Sequence, residues 1–158
     1  NILTENDIND INNVSKDLVI TKYFMDHHRE IVVIIAGSKS DGEHVNKIIK
    51  QCDKLNIYTI IYYSSAHKNT KDLLSILDIY EKQNRKIVYV TVAGRSNALS
   101  GVVASNTRYP VIACPPFKDT LDFQVNINST LICPCKVPVM TILEPENVAI
   151  SINKIFNF

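Results

Sequence analysis

Three short stretches of this chain gather residue types that can act together on a ligand: Gly37-Ser38-Lys39-Ser40-Asp41, Ser64-Ser65-Ala66-His67-Lys68 and Gly94-Arg95-Ser96-Asn97. Each joins small residues, which let a ligand come close to the backbone, to hydroxyl donors and a cation. If each precedes a helix, free backbone N–H groups and the positive end of the helix dipole face outward, and an anion such as phosphate belongs there. Lys39, Lys68 or Arg95 supplies the neutralising charge. Asp41 would repel phosphate but suits sugar hydroxyls, as acidic residues do in nucleotide-binding folds. His67 sits beside small residues and a lysine, where a titratable imidazole suits acid or base work. Taken singly, Ser38, Ser40 and Asp41 also read as helix caps and His67 as a hydrogen-bonded structural histidine. The coincidence of three such turns favours a shared site, centred near Gly94 to Asn97.

The elements around the turns explain why they would meet. Ile31 to Ala36 is an unbroken apolar run, the mark of a strand covered on both faces. Val45, Ile48, Ile49, Cys52 and Leu55 follow at helical spacing, with Glu43, Lys47, Lys50 and Asp53 on the other side. Ile57 to Tyr63 reads as a second strand, and Asn69 or Thr70 offers an N-cap for a helix striped by Leu73, Leu74, Leu77 and Tyr80. Ile87 to Val92 is the third strand, a short Ala/Val helix follows Asn97, and Pro110 to Cys114 is the fourth strand, ended by Pro115-Pro116. The pattern weakens from Phe117 to Lys136. Val137 to Leu143 reads as a strand, and Glu144-Pro145 opens a last helix bearing Val148, Ile152 and Ile155. Strands alternating with helices predict an α/β fold, a three-layer α/β/α doubly wound parallel sheet of the flavodoxin-like kind, with its turns collected at one edge.

The bulk numbers narrow the function. At 158 residues the chain suits one domain with or without a tail. The polar, asparagine-rich residues 1–30 read as a tail or linker, and 31–158 as the functional domain. The chain opens without methionine, which suggests a piece of a longer chain with another domain upstream. His27 and His28 read as exposed linker residues more readily than as metal ligands. A formal net charge of +1 gives no electrostatic grip on nucleic acid or membrane. No apolar run approaches the roughly 20 residues of a membrane helix, so the cytoplasm is the expected location. Four cysteines make no disulfide framework; Cys52 and Cys114 read as buried thiols, and Cys133-Pro134-Cys135 lacks a second pair for a metal. There is no phosphate loop of the Walker type and no dinucleotide glycine fingerprint. The chemistry is expected to need neither NAD nor zinc.

At Gly37-Ser-Lys-Ser-Asp41, Ser65-Ala-His67, Ala93-Gly-Arg-Ser-Asn97 and Leu143-Glu-Pro145 the chain resembles the aminoimidazole ribonucleotide carboxylases of purine biosynthesis. Of that family's two branches it resembles the one that uses carbon dioxide directly, which carries Ala-Gly-Arg-Ser-Asn and includes the bifunctional animal enzymes. The other branch, a mutase that moves a carboxyl group within a carbamate, carries a second histidine that this chain lacks. The resemblance implies that Ser38, Ser40, Ser65 and Lys68 hold the substrate 5′-phosphate and Asp41 the ribose hydroxyls. It further implies that Ala93, Gly94, Arg95 and Ser96 line the site for the aminoimidazole and carbon dioxide, that Ala66 and Asn97 also bind substrate, and that His67 moves the proton. Neither ATP, biotin nor any other cofactor is implied. Partners implied are a homo-octamer and an upstream succinocarboxamide synthetase domain.

The chain departs from that branch after the fourth strand, where Ile132 replaces an arginine and Cys135-Lys136 a Ser-Gly pair. Two other readings use the same features: a catalytically impaired phosphate-binding or oligomerisation domain, and a flavin-binding module with Tyr62 and Tyr63 beside a phosphate turn.

Overall fold

The computed structural model describes residues 30–158. Of the expected tail or linker over 1–30 only Glu30 is described, and His27 and His28 lie outside the described residues. Strands β1 (Glu30–Ala36), β2 (Thr59–Tyr63), β3 (Lys86–Val92), β4 (Val111–Ala113) and β5 (Met140–Thr141) form one parallel sheet in the order β2-β1-β3-β4-β5. Ala36 pairs with both Tyr63 and Val92, and Thr91 with Ala113, so the carboxyl ends of the first four strands stop at one level. That register brings the turns after them to a common edge.

Among the described residues the helices are α1 (Gly42–Lys54), α2 (Thr70–Glu81), α3 (Ala98–Ser105), α4 (Thr120–Leu131) and α5 (Pro145–Phe156), with a short 3-10 turn before α1. On one face of the sheet, Val45, Ile48 and Cys52 of α1 pack with Val148, Ile152 and Phe156 of α5 against Val32, Ile34 and Val90. On the other, Leu73, Leu77 and Tyr80 of α2 and Leu99 and Val103 of α3 cover Ile31, Val33, Ile35 and Tyr89. Residues Ile31 to Ala36 are wholly buried, as the central strand of a doubly covered sheet must be. This is the three-layer, doubly wound, flavodoxin-like arrangement read from the sequence.

Two segments differ from the sequence reading. The strand expected over Val137 to Leu143 shrinks to Met140–Thr141, since Pro138 lacks an N–H and the neighbouring β4 offers only three residues. In the weakly patterned stretch, Thr120–Leu131 is a helix, started by Asp119, whose carboxylate accepts from the Asp122 N–H at 2.9 Å. Its buried residues are Asn126 and Thr130, so apolar periodicity had nothing to register. No helix among the described residues is long and apolar enough to cross a membrane.

Candidate functional site

A cavity of about 660 Å³ opens at the carboxyl edge of the sheet. The turn after β1 contributes Gly37, Ser38, Ser40 and Asp41; the turn after β2 contributes Ser65, Ala66 and His67; the turn after β3 contributes Ala93, Gly94, Arg95 and Ser96. Three stretches separated by some thirty residues each thus converge on one cleft. Three of the expected site residues do not reach its wall. Lys39 and Lys68 are exposed outside it, and Asn97 is buried behind it at 7% exposure.

The first turn is a short 3-10 helix, Lys39–Asp41, capped by Ser38, whose hydroxyl accepts from the Ser40 N–H at 3.2 Å and the Ser40 hydroxyl at 2.8 Å. Ser38 is therefore a cap as well as a wall residue. Asp41 holds the N-cap position of α1 without using its side chain to cap it, which leaves the carboxylate to the cavity. Burial pushes its carboxyl above the usual range, against the opposing pull of the Ser38 backbone and the Lys118 charge.

In the second turn, the Ser65 hydroxyl accepts from the backbone N–H groups of His67 and Lys68, at 3.3 and 3.4 Å. Asn69 is the N-cap of α2 by position, but its side-chain oxygen accepts from the Ser65 N–H at 2.8 Å instead of from the helix. The amide thus fixes the turn, and His67 projects from it at an exposed position on the cavity wall.

The third turn is held by α4. Arg95 adopts φ of 58°, a left-handed conformation that side chains other than glycine occupy at a cost. The Asn126 side-chain oxygen accepts the Arg95 N–H at 2.7 Å, and its Nδ2 donates to the Pro116 carbonyl at 2.6 Å. One buried amide ties the turns after β3 and β4 together. A Cβ on Gly94 would lie 3.0 Å from Asn126 Nδ2, so glycine is the residue that lets the amide close on the turn. Asn97 accepts from the Ser100 N–H and hydroxyl with its side-chain oxygen and donates Nδ2 to Thr130 Oγ1 at 2.9 Å. Its role is to cap α3 and fasten it to α4.

Several wall residues escaped the sequence reading. Pro116, Phe117, Lys118, Asp122 and Asn126 come from the fourth turn and α4, and Glu43, His44 and Lys47 from the first two turns of α1. A fourth strand-to-helix turn at the same edge was the available signal for the first group; its helix was missed, so the signal was lost. His44 stands three residues after Asp41, on the same helical face. Arg95 and Asp122 approach to 3.7 Å, with the guanidinium largely in water, a contact of small energetic weight. Cys52 and Cys114 are buried free thiols, as read from the sequence. Cys135 is exposed, and among the described residues no group of three His, Cys, Asp or Glu is placed to hold a metal ion.

Residues 31–158 match the protein family described as AIR carboxylase. The chain is 45% identical to the phosphoribosylaminoimidazole carboxylase of Archaeoglobus fulgidus over 124 residues, 78% of this chain and 67% of that protein. It is 42% identical over 120 residues to the bifunctional phosphoribosylaminoimidazole carboxylase/phosphoribosylaminoimidazole succinocarboxamide synthetase of Drosophila melanogaster, covering 76% of this chain and 28% of that one. The crystal structure of Treponema denticola PurE superposes with a TM-score of 0.77 at 39% identity, over 82% of this chain and 81% of the other.

Proposed function

This chain belongs to the AIR carboxylase family, and on that premise we propose that it adds carbon dioxide directly to the ring of aminoimidazole ribonucleotide, a step of purine biosynthesis, without ATP or biotin. The observation that carries the reading is the convergence of three phosphate- and sugar-suited turns on one cleft, with an imidazole at its wall. Direct use of carbon dioxide, against carboxyl transfer within a carbamate, is supported by Ala93-Gly94-Arg95-Ser96-Asn97 standing in the third turn.

In this reading the hydroxyls of Ser38, Ser40 and Ser65 and the backbone N–H groups about them take the 5′-phosphate, and Asp41 accepts from the ribose hydroxyls. Lys68 serves the phosphate only by reaching in from the rim; Lys47, Lys118 and Arg95 already stand on the wall. Ala66 and the Ala93 to Ser96 segment seat the aminoimidazole and carbon dioxide, and Asn97 holds that segment in place. The ring's amino group pushes electron density onto the adjacent carbon, which forms a bond to carbon dioxide. The C–H bond at that carbon then breaks, its electron pair restores the aromatic ring, and the proton passes to the His67 imidazole and on to solvent. A partly dry cleft favours uncharged carbon dioxide and strengthens hydrogen bonds to the new carboxylate.

A homo-octamer belongs to the same proposal. Its support is the exposure of large apolar side chains on and after α4, with Leu121, Leu131 and Ile132 at 71%, 62% and 79%, which a second copy would cover. A fused succinocarboxamide synthetase domain, which we place upstream, is supported by the name of the Drosophila relative, of which this chain covers 28%. Residues 1–30 would be the connection and 31–158 the carboxylase domain, and free cysteines suit a reducing cytoplasm.

Ultraviolet monitoring of aminoimidazole ribonucleotide with bicarbonate and no ATP tests the reaction. We expect conversion in both directions, and for His67→Asn a kcat loss of about 10²- to 10⁴-fold with binding retained. No absorbance change at ample protein, or an unaltered rate in the variant, would overturn the reaction or the role of His67 respectively.

A further inference from the structure

Behind the cavity, a buried thiol meets a wall histidine in a contact that the proposed mechanism leaves unused. Cys114, the residue after β4, is 0% exposed. Its Sγ lies 3.2 Å from His44 Nε2 and 3.5 Å from the Leu143 carbonyl oxygen. Its backbone is fixed by an N–H bond to the Thr91 carbonyl at 2.9 Å. The three polar atoms can be satisfied in sequence. A carbonyl only accepts, so the thiol proton goes to Leu143, and the sulfur lone pair remains for an N–H on Nε2. Burial, with Glu144 nearby, pushes the thiol up to about 12, so sulfur keeps its proton.

The imidazole itself is held neutral. Burial and Lys47 lower it from its ordinary value, while the Cys114 backbone, Glu144 and Glu43 act in the opposite sense. Those groups face it from its own helix, from the residue after β4 and from the segment before α5. A neutral ring protonated at Nε2 has an unprotonated Nδ1, and the Cys114 thiol is the side chain beside Nε2, with the Cys114 backbone a further partner of the ring. The ring forms part of the cavity wall one helical turn beyond Asp41.

We propose that Cys114 is a positioning residue for His44: the chain from Nε2–H to Sγ and from S–H to the Leu143 carbonyl fixes one tautomer, so that Nδ1 accepts a hydrogen bond from a sugar hydroxyl of the bound nucleotide beside Asp41. The proposal rests on aminoimidazole ribonucleotide being the ligand. It adds a second acceptor to a sugar subsite that otherwise has one carboxylate, and it gives a function to a thiol too deeply buried to react.

The test combines long-range ¹H–¹⁵N correlation spectra of histidine-labelled full chain with the dissociation constant and turnover of aminoimidazole ribonucleotide. For the unaltered protein, His44 should show a protonated Nε2 and an unprotonated Nδ1. Cys114→Ala should give a mixture of tautomers and weaken binding about three- to tenfold, the scale of one neutral hydrogen bond, with kcat less affected than KM. Cys114→Ser, which keeps a donor and an acceptor, should recover both. His44→Phe should weaken binding by a similar factor and be insensitive to adding Cys114→Ala. A proton on Nδ1 in the unaltered protein, or Cys114→Ala with tautomer and affinity unchanged while turnover continues, overturns the proposal. Cys114-dependent binding with no turnover supports it and counts instead against the carboxylase reading.

Discussion

Helix α1 turns Val45, Ile48 and Cys52 into the core and leaves Glu43, Lys47 and Lys50 outside, whereas α4 buries Asn126 and Thr130 and leaves Leu121, Val125 and Leu131 in water. Both line the same cavity. The first is attached by apolar area, a non-directional force that tolerates small shifts in position. The second is attached to the turn after β3 by directional bonds that Arg95 and Asn97 donate to the side-chain oxygens of Asn126, Ser129 and Thr130. A helix that must set the position of a loop benefits from directional contacts. Its apolar side is then free for another surface, which the proposed assembly supplies.

Substitutions break this contrast from its strong end downward. Ile48→Ala in α1 opens a cavity in a wholly buried site and should cost about 2–5 kcal/mol. Urea unfolding would show it as a lower midpoint at unchanged slope, with the folded fraction still active. Asn126→Ala should cost less, about 1–3 kcal/mol, because it leaves the Arg95 N–H and the Pro116 carbonyl without their partner. Its activity should nevertheless fall well beyond that of Ile48→Ala, since the left-handed Arg95 turn loses its clamp. Equal activity in the two variants would mean that α4 does not set the turn.

The same contrast separates what was legible in the sequence from what was not. Strands β1 and β3 and helices α1, α2 and α5 show in the order of residues because burial sorts apolar from polar side chains at the period of each element. The three turns were legible because small, hydroxylated and charged residues concentrate where strands end. Lys68 and Asn97 were read by adjacency to those turns, but neighbours in sequence alternate between wall and interior, and Asn97 turned inward to hold α3. α4 follows no apolar period because its inner face is hydrogen-bonded through Asn126 and Thr130, and its exposed positions mix Leu121, Val125 and Leu131 with Gln124 and Asn128. His44 was hidden in plain view on a helix judged only by its stripe.

The exposed side of α4 gives a smaller and different signal. Leu121→Lys with Leu131→Lys removes no buried contact within the chain, so the stability of the isolated chain should change by no more than about 0.5 kcal/mol. Sedimentation should instead show a lower assembly state than the unaltered protein. Unchanged assembly would place the subunit contacts elsewhere and leave the inverted helix without a reason for its outer face.

The faintest expected effect is the pH dependence at the start of α1, where two titrating groups share one turn and act in opposite senses. His44 is lowered when folded, so below the unfolded value of about 6.5 the unfolded chain binds a proton that the native ring resists. Its contribution to stability is therefore complete above that value and is lost as pH falls through the folded one. Asp41 is raised when folded, so the native carboxyl keeps its proton longer than the unfolded one. Its contribution is complete below the unfolded value of about 3.9 and is lost as pH rises through the folded one. Denaturation midpoints measured against pH for His44→Gln and Asp41→Asn should differ from the unaltered chain in these two separate windows. For His44→Gln the difference should disappear above neutrality as a slope, leaving a constant offset. A slope that persists there would assign the linkage to a group other than the imidazole.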